Sequence, residues 1–175
     1  MIDAEEKVIL VDAQDRETGL MDKLAAHRQG LRHRAISVFI WNDRGEMLLQ
    51  QRALSKYHSG GLWANATCSH PRAGEAVADA AARRLLDEVG IETRLTPLFV
   101  TEYRADVGGG CVEHELVHVF SGDHSGPPRP APAEVAACRW CSPERLDAWM
   151  REAPEDFTSW FRIYMNTHRD RILAA

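Results

Sequence analysis

A chain of 175 residues, 45% apolar and 27% charged, has the length and make-up of one ordinary domain around one core, so residues 1–175 are expected to fold as a single unit. A net charge of -5 at pH 7 argues against a general nucleic-acid binder, which needs a basic excess to neutralise phosphates. The opening MIDAEEKVIL lacks the basic-then-apolar layout of a secretory signal, and no apolar run approaches the ~20 residues that cross a bilayer, so a cytoplasmic protein with no membrane partner is expected.

KVILVD (7–12) reads as a short strand, QDRETG as a turn, and LMDKLAAHR (20–28) as one or two helical turns. RAISVFIW (34–41) is β-branched and aromatic, NDRG (42–45) is a hairpin turn, and EMLLQQR (46–52) is the returning strand. ALSKYHSGGLWANATCSH (53–70) is irregular and rich in glycine and serine, a length of loop that often carries function. From Glu75 to Val89 the pattern is helical, with Ala78, Ala82, Leu85 and Val89 forming an apolar stripe that Gly90 ends.

RLTPLFVTEYRA (94–105) and CVEHELVHVFSG (111–122) predict two strands, DHSGPPRPAPAE a proline-rich surface loop, and VAACRWC a further strand. SPERLDAWMRE opens a helix with Ser142 as N-cap and Pro143 at the first helical position. FTSWFRIYMNTHRDRIL puts Phe157, Trp160, Phe161 and Tyr164 on one helical side. The expected fold class is α+β, an α/β/α sandwich with a central mixed sheet.

Four cysteines stand at 68, 111, 138 and 141. Cys138 and Cys141 make a C-x-x-C on an expected strand, where residues three apart face opposite ways, and no second pair completes a zinc ribbon. They read as small buried hydrophobes. NATCSHPRAGE (65–75) is different, because it sets a thiol, a hydroxyl and an imidazole side by side just before a helix. Within that helix Arg84 and Glu88 are four apart and share a face. In VEHE, strand alternation sends Glu113 and Glu115 to one face and His114 to the other, and two carboxylates so close need a cation or a shared proton.

Laid over the Nudix pattern G-x5-E-x7-R-E-U-x-E-E-x-G-U, Glu75, Arg83, Leu85, Glu88, Gly90 and Ile91 match, and Asp87 replaces the first of the paired glutamates. Ser69 stands at the opening glycine and Arg84 at the glutamate after Arg83. A guanidinium there suits a diphosphate oxygen more than activation of a water. With DKLAAH, QRALSK, GLWANATCSHP, RRLLDEVG, TEYRA and VEHE, the chain resembles type 1 isopentenyl-diphosphate isomerase, a Nudix-superfamily family, from about Val8 to Trp160.

The resemblance implies a Nudix fold and a reversible 1,3-proton shift between isopentenyl and dimethylallyl diphosphate through a tertiary carbocation. It implies Cys68 and Glu115 as the proton carriers, Tyr103 as partner of Glu115, and Trp160 as a π-face against the cation. A thiol's pKa can be set near neutrality by its neighbours, which is the expectation for Cys68. His27, His33, His70, Glu113 and Glu115 are the implied site for Mn2+ or Zn2+. Mg2+ is implied to enter with the diphosphate on Glu88 and the carbonyl of Cys68, while Lys23, Arg52, Lys56, Ser69 and Arg84 hold the diphosphate. His58, His114, His118, His124 and His168 are left to structure or surface. The rivals are a Nudix hydrolase and a Nudix-like module that binds without turnover.

Overall fold

A computed structural model describes residues 6–175. One mixed sheet of nine strands forms its centre. The chain runs β1 (Lys7–Val11), β2 (Glu17–Asp22), α1 (Lys23–Gln29), β3 (His33–Trp41), β4 (Met47–Arg52), β5 (Trp63–Asn65), β6 (Thr67–Ser69), α2 (Val77–Val89), β7 (Thr96–Gly108), β8 (Cys111–Asp123) and β9 (Val135–Cys141). It closes with α3 (Pro143–Glu152), a 3-10 turn, α4 (Ser159–Thr167) and α5 (Arg169–Leu173).

β3 organises the molecule. Along one edge it pairs parallel with β8, from His33↔Glu115 to Trp41↔Asp123. The antiparallel partners share its other edge: β1 at His33, β6 at residues 36–38, and β4 only at Trp41↔Met47. Beyond that single pair β3 and β4 part, and the chain from Asn65 to His70 runs between them while β4 pairs with β5 and β9. A strand covered on both faces should be largely apolar, and β3 is so from Ala35 to Trp41 except at Ser37. Ala35, Phe39 and Trp41 join Trp160, Phe161 and Tyr164 in the core under the C-terminal helices. Ile36, Val38 and Ile40 face the other way, onto Ala80, Ala81, Leu85 and Val89 of α2. The expected α/β/α layering is therefore present.

Several local expectations are corrected. The buried residues of α2 are Ala80, Ala81, Leu85, Glu88 and Val89, whereas Ala78 and Ala82 are exposed. The helix begins at Val77, leaving Glu75 in the preceding loop, where its carboxylate accepts from Arg83 Nε at 2.7 Å. The proline-rich segment is not merely surface. The amides of Arg129 and Ala131 donate to the carbonyls of Val89 and Glu88, closing the C-terminus of α2. A Cβ on Gly90 would lie 2.8 Å from that of Arg129, and the φ of +67° there also requires glycine. QDRETG is partly strand β2, the long irregular stretch contains β5 and β6, and the last helix breaks at His168.

Other expectations hold. Ser142 caps α3, with Pro143 in its first turn. Cys141 lies in the core under the C-terminal helices and Cys138 packs toward α2, the opposite faces that strand spacing predicts.

Candidate active site

Strand register gathers the polar residues on one face. His33 pairs with Glu115 and Ser37 with Cys68, and residues 33 and 37 point the same way along β3. Tyr103 of β7 pairs with Glu115, and Ala105 with Glu113, so the VEHE carboxylates and Tyr103 join this face. His27 comes from α1, whose first turn is capped by Asp22 and whose end is set by Gly30 at φ +61°. Trp160 comes from α4, and Arg84 and Glu88 come from the last turns of α2. His27, Cys68, Arg84, Glu88, Tyr103, Glu113, Glu115 and Trp160 line one cleft of about 540 Å³, measured to its open mouth.

The imidazoles of His27 and His33 are fully buried. His27 Nδ1 lies 2.6 Å from the carbonyl of Lys23, and His33 Nδ1 lies 2.8 Å from that of Leu31. Each contact places the ring proton on Nδ1 and turns the Nε2 lone pair inward, where neither Nε2 has a hydrogen-bond partner. His70 Nε2 lies 3.0 Å from Glu115 Oε1. Donor atoms of His27, His33, His70 and Glu115 all fall within 4.8 Å of one another. Burial, then the neighbouring imidazoles, lowers His27 to about 4, and burial lowers His70, so both offer neutral nitrogen. This buried His/Glu cluster fits a metal ion, since aligned lone pairs without partners are what a divalent cation satisfies.

Glu113 departs from the expected set of five. It groups with His27 and His58, whose donor atoms again lie within 4.8 Å. His58, assigned above to structure or surface, is buried and stands 3.4 Å from Glu113 Oε1. Tyr103 Oη lies 2.7 Å from Glu113 Oε2 and 2.8 Å from Glu115 Oε2. One phenol proton serves two carboxyls, so one of them must carry its own proton. Glu113 does: burial, then the charge of Glu115, raises it to about 8. Burial also pushes Glu115 up, but the His33 imidazole 3.5 Å away and the His70 ring 3.0 Å away outweigh that and hold it well below the usual carboxylate range.

Cys68 meets the cleft with part of its surface. Its Sγ is 3.2 Å from Asn65 Oδ1 and 3.4 Å from Ser37 Oγ, so the sequence just before the cysteine orients the thiol. Burial and the charges of Glu115, Glu88 and Glu113 raise its pKa to about 12, although the Ser37 hydroxyl works the other way. The expectation of a near-neutral thiol is corrected: burial and the charges of three nearby carboxylates dominate the environment of the sulfur.

One wall of the cleft is cationic. Lys23, Arg52, Lys56 and Arg84 line the same cleft with Ser69, which is buried. Arg84 donates to Glu88 Oε1 at 2.8 Å and lies 3.4 Å from Glu134, while Glu88 Oε2 accepts from Gln50 at 2.9 Å. The pair is therefore buried in the wall of a cavity, not on a solvated helix face. Lys56 is bonded to Glu134, and Arg52 lies over the Trp160 ring at 5.2 Å.

Sequence reasoning missed His58, Glu134, Gln50, Ser37 and Asn65. Asn65 alone had a local signal, three residues ahead of Cys68. It donates to Ser37 Oγ and to the carbonyl of Val38, tying the end of β5 to β3.

Comparisons with known proteins agree with this architecture. Residues 31–161 match the family described as NUDIX domain. An isopentenyl-diphosphate Delta-isomerase of Burkholderia multivorans is 49% identical over 157 residues, covering 90% of this chain and 89% of that protein. An isopentenyl-diphosphate Delta-isomerase 2 of Aromatoleum aromaticum is 46% identical over 170 residues, covering 97% and 88%. Among solved structures, a Deinococcus radiodurans protein superposes with a TM-score of 0.70 at 18% identity, covering 84% of this chain and 90% of its own, which bears on the fold alone. A MutT Nudix hydrolase of Burkholderia pseudomallei gives 0.61 at 26% identity, covering 78% and 98%. By matched domain, by identity across nearly its whole length and by fold, this chain belongs to the Nudix-type isopentenyl-diphosphate Delta-isomerases.

Proposed function

We propose that this chain interconverts isopentenyl and dimethylallyl diphosphate by a 1,3-proton shift, with Cys68 and Glu115 as the two proton carriers. The observation that carries this reading is their arrangement: a thiol and an ionised carboxylate enter one cleft from opposite flanks of β3. One adds a proton to the terminal alkene carbon, a tertiary cation forms, and the other removes a proton from the carbon beside the diphosphate arm. A protonated thiol beside an ionised carboxylate is one donor and one acceptor, which is the complement such a shift needs.

Tyr103 bridges Glu115 to the proton-bearing Glu113 and supplies a path for a proton on that side. Trp160 presents a buried indole to the cleft, and a ring face beside a developing cation in a dry site lowers its energy by about 2 kcal/mol or more. Exclusion of water also protects the cation from capture.

Lys23, Arg52, Lys56 and Arg84, with Ser69, hold the diphosphate at the cationic end of the cleft. Mn2+ or Zn2+ suits the nitrogen-rich His27, His33, His70 and Glu115 set, with Glu113 joining. Bound there, such an ion would fix the Glu115 carboxylate and set its basicity. Glu88 and the Cys68 carbonyl are the protein oxygens that would hold a Mg2+ entering with the diphosphate.

A diphosphate hydrolase is the rival reading, and Arg84 in place of a catalytic glutamate disfavours it. Nuclear magnetic resonance of the protein with isopentenyl diphosphate and Mg2+ separates the two. The isomerase produces dimethylallyl diphosphate; release of phosphate or diphosphate without isomer would overturn the reading.

A further inference from the structure

His58 has no role in the reaction just described. Its loop is built to aim it inward. Ser59 holds φ +52°, an unusual conformation for a residue with a side chain, and its Oγ lies 3.2 Å from His58 Nδ1. A Cβ on Gly60 would sit 2.8 Å from the carbonyl of Leu54, so only glycine lets the loop press so closely on the chain behind it. Gly61, at φ +80°, completes the turn and its amide donates to the carbonyl of Arg52. The ring that results has a 3% exposed side chain and stands edge-on to Trp160 at 5.8 Å.

With Nδ1 occupied by Ser59, the free nitrogen of His58 is Nε2, and it points at Glu113 and His27. Donor atoms of these three residues lie within 4.8 Å of one another. A ligand shell with bonds of about 2.1–2.4 Å has opposite donors about 4.2–4.8 Å apart, so these three donors can share one ion, and drawing His33, His70 and Glu115 into the same shell requires the two groups to contract around it. His27 belongs to both groups of donors, and its one inward lone pair has no other partner.

We propose that His58 Nε2 is a fourth imidazole ligand of the metal centre, closing the shell on the side of Glu113. The chemical class it selects is a borderline divalent cation that accepts a nitrogen-rich set, such as Mn2+, Co2+ or Zn2+, over Mg2+. The inference rests on the metal site read under the proposed function. It also gives the Ser59 strain a purpose, because the loop that grips Arg52 and Lys56 becomes tied to the ion.

Pulsed electron paramagnetic resonance of the full chain loaded with Mn2+ alone counts imidazole nitrogens through their hyperfine couplings. Four in the wild type, and three in His58→Ala with Mn2+ affinity lowered tenfold or more, is the expected result. Three in the wild type would overturn the inference and leave the His27, His33 and His70 site standing. That wild-type count decides the matter even if His58→Ala fails to fold. Absence of any bound Mn2+ would overturn both readings.

Discussion

Cys68 and Glu115 belong to strands that flank β3 on its two edges, and the residues they pair with, Ser37 and His33, point to the same face. That relationship places a sulfur and a carboxylate in one cleft without any loop having to carry them there. Rigid strands hold the pair, and variants of either residue should leave the sheet intact.

The thiol should be unreactive in the substrate-free protein. A raised pKa favours the uncharged form, so thiolate at Cys68 appears only as pH climbs toward about 12. Iodoacetamide at pH 8 should label Cys68 far more slowly in the folded protein than in denaturant, as read by peptide mass spectrometry. Labelling at the rate of a free thiol would show that the surrounding anions do not control it.

Metal should stabilise the fold through the histidine cluster. At a free Mn2+ concentration 100 times its Kd, linkage gives about 2.7 kcal/mol. For a chain of this size that is a rise of about 5–10 °C in Tm. His70→Ala should remove most of that rise, and removal of metal by a chelator should reverse it in the wild type. An equal rise in His70→Ala would place the ion elsewhere.

Glu88 should matter for both structure and magnesium. Its carboxylate is buried between Arg84 and Gln50, so Glu88→Gln leaves Arg84 with Glu134 at 3.4 Å and Asp87 at 4.0 Å. The Mg2+ concentration needed for half-maximal turnover should rise about tenfold or more, a loss of at least ~1.4 kcal/mol in magnesium-dependent binding. An unchanged magnesium dependence would remove Glu88 from the diphosphate end.

Substitutions separate the packing of Trp160 from the π-face role proposed for it. Trp160→Phe keeps a π-face, and Trp160→Leu keeps only apolar bulk. If the ring contributes about 2 kcal/mol to the cation, kcat should fall roughly 30-fold in the leucine variant and much less in the phenylalanine one. Equal losses in both would make Trp160 a packing residue only.

Much of the site was legible because its residues are local or periodic. Cys68, Ser69 and His70 are consecutive, and Glu113 and Glu115 are two apart on a strand, so spacing alone fixes their faces. His58 was not legible, since its direction depends on the left-handed turn at Ser59 and on the close packing at Gly60. β5 and β6 are three residues each, too short for alternation to register, and β2 is a largely exposed strand without an apolar face. The phase of α2 was misread because VADAAARR offers alanine on every side, and only the packing against β3 selects Ala80 and Ala81. The Cys68 pKa depends on burial and surrounding charge, which no spacing in the chain reveals.

The central claim is met most directly by running wild type and Cys68→Ala side by side on isopentenyl diphosphate in heavy water. The wild type should give deuterium-labelled dimethylallyl diphosphate with no phosphate, and the folded variant should turn over about 10²–10⁴-fold more slowly. Wild-type rates of deuterium entry in Cys68→Ala would contradict the account.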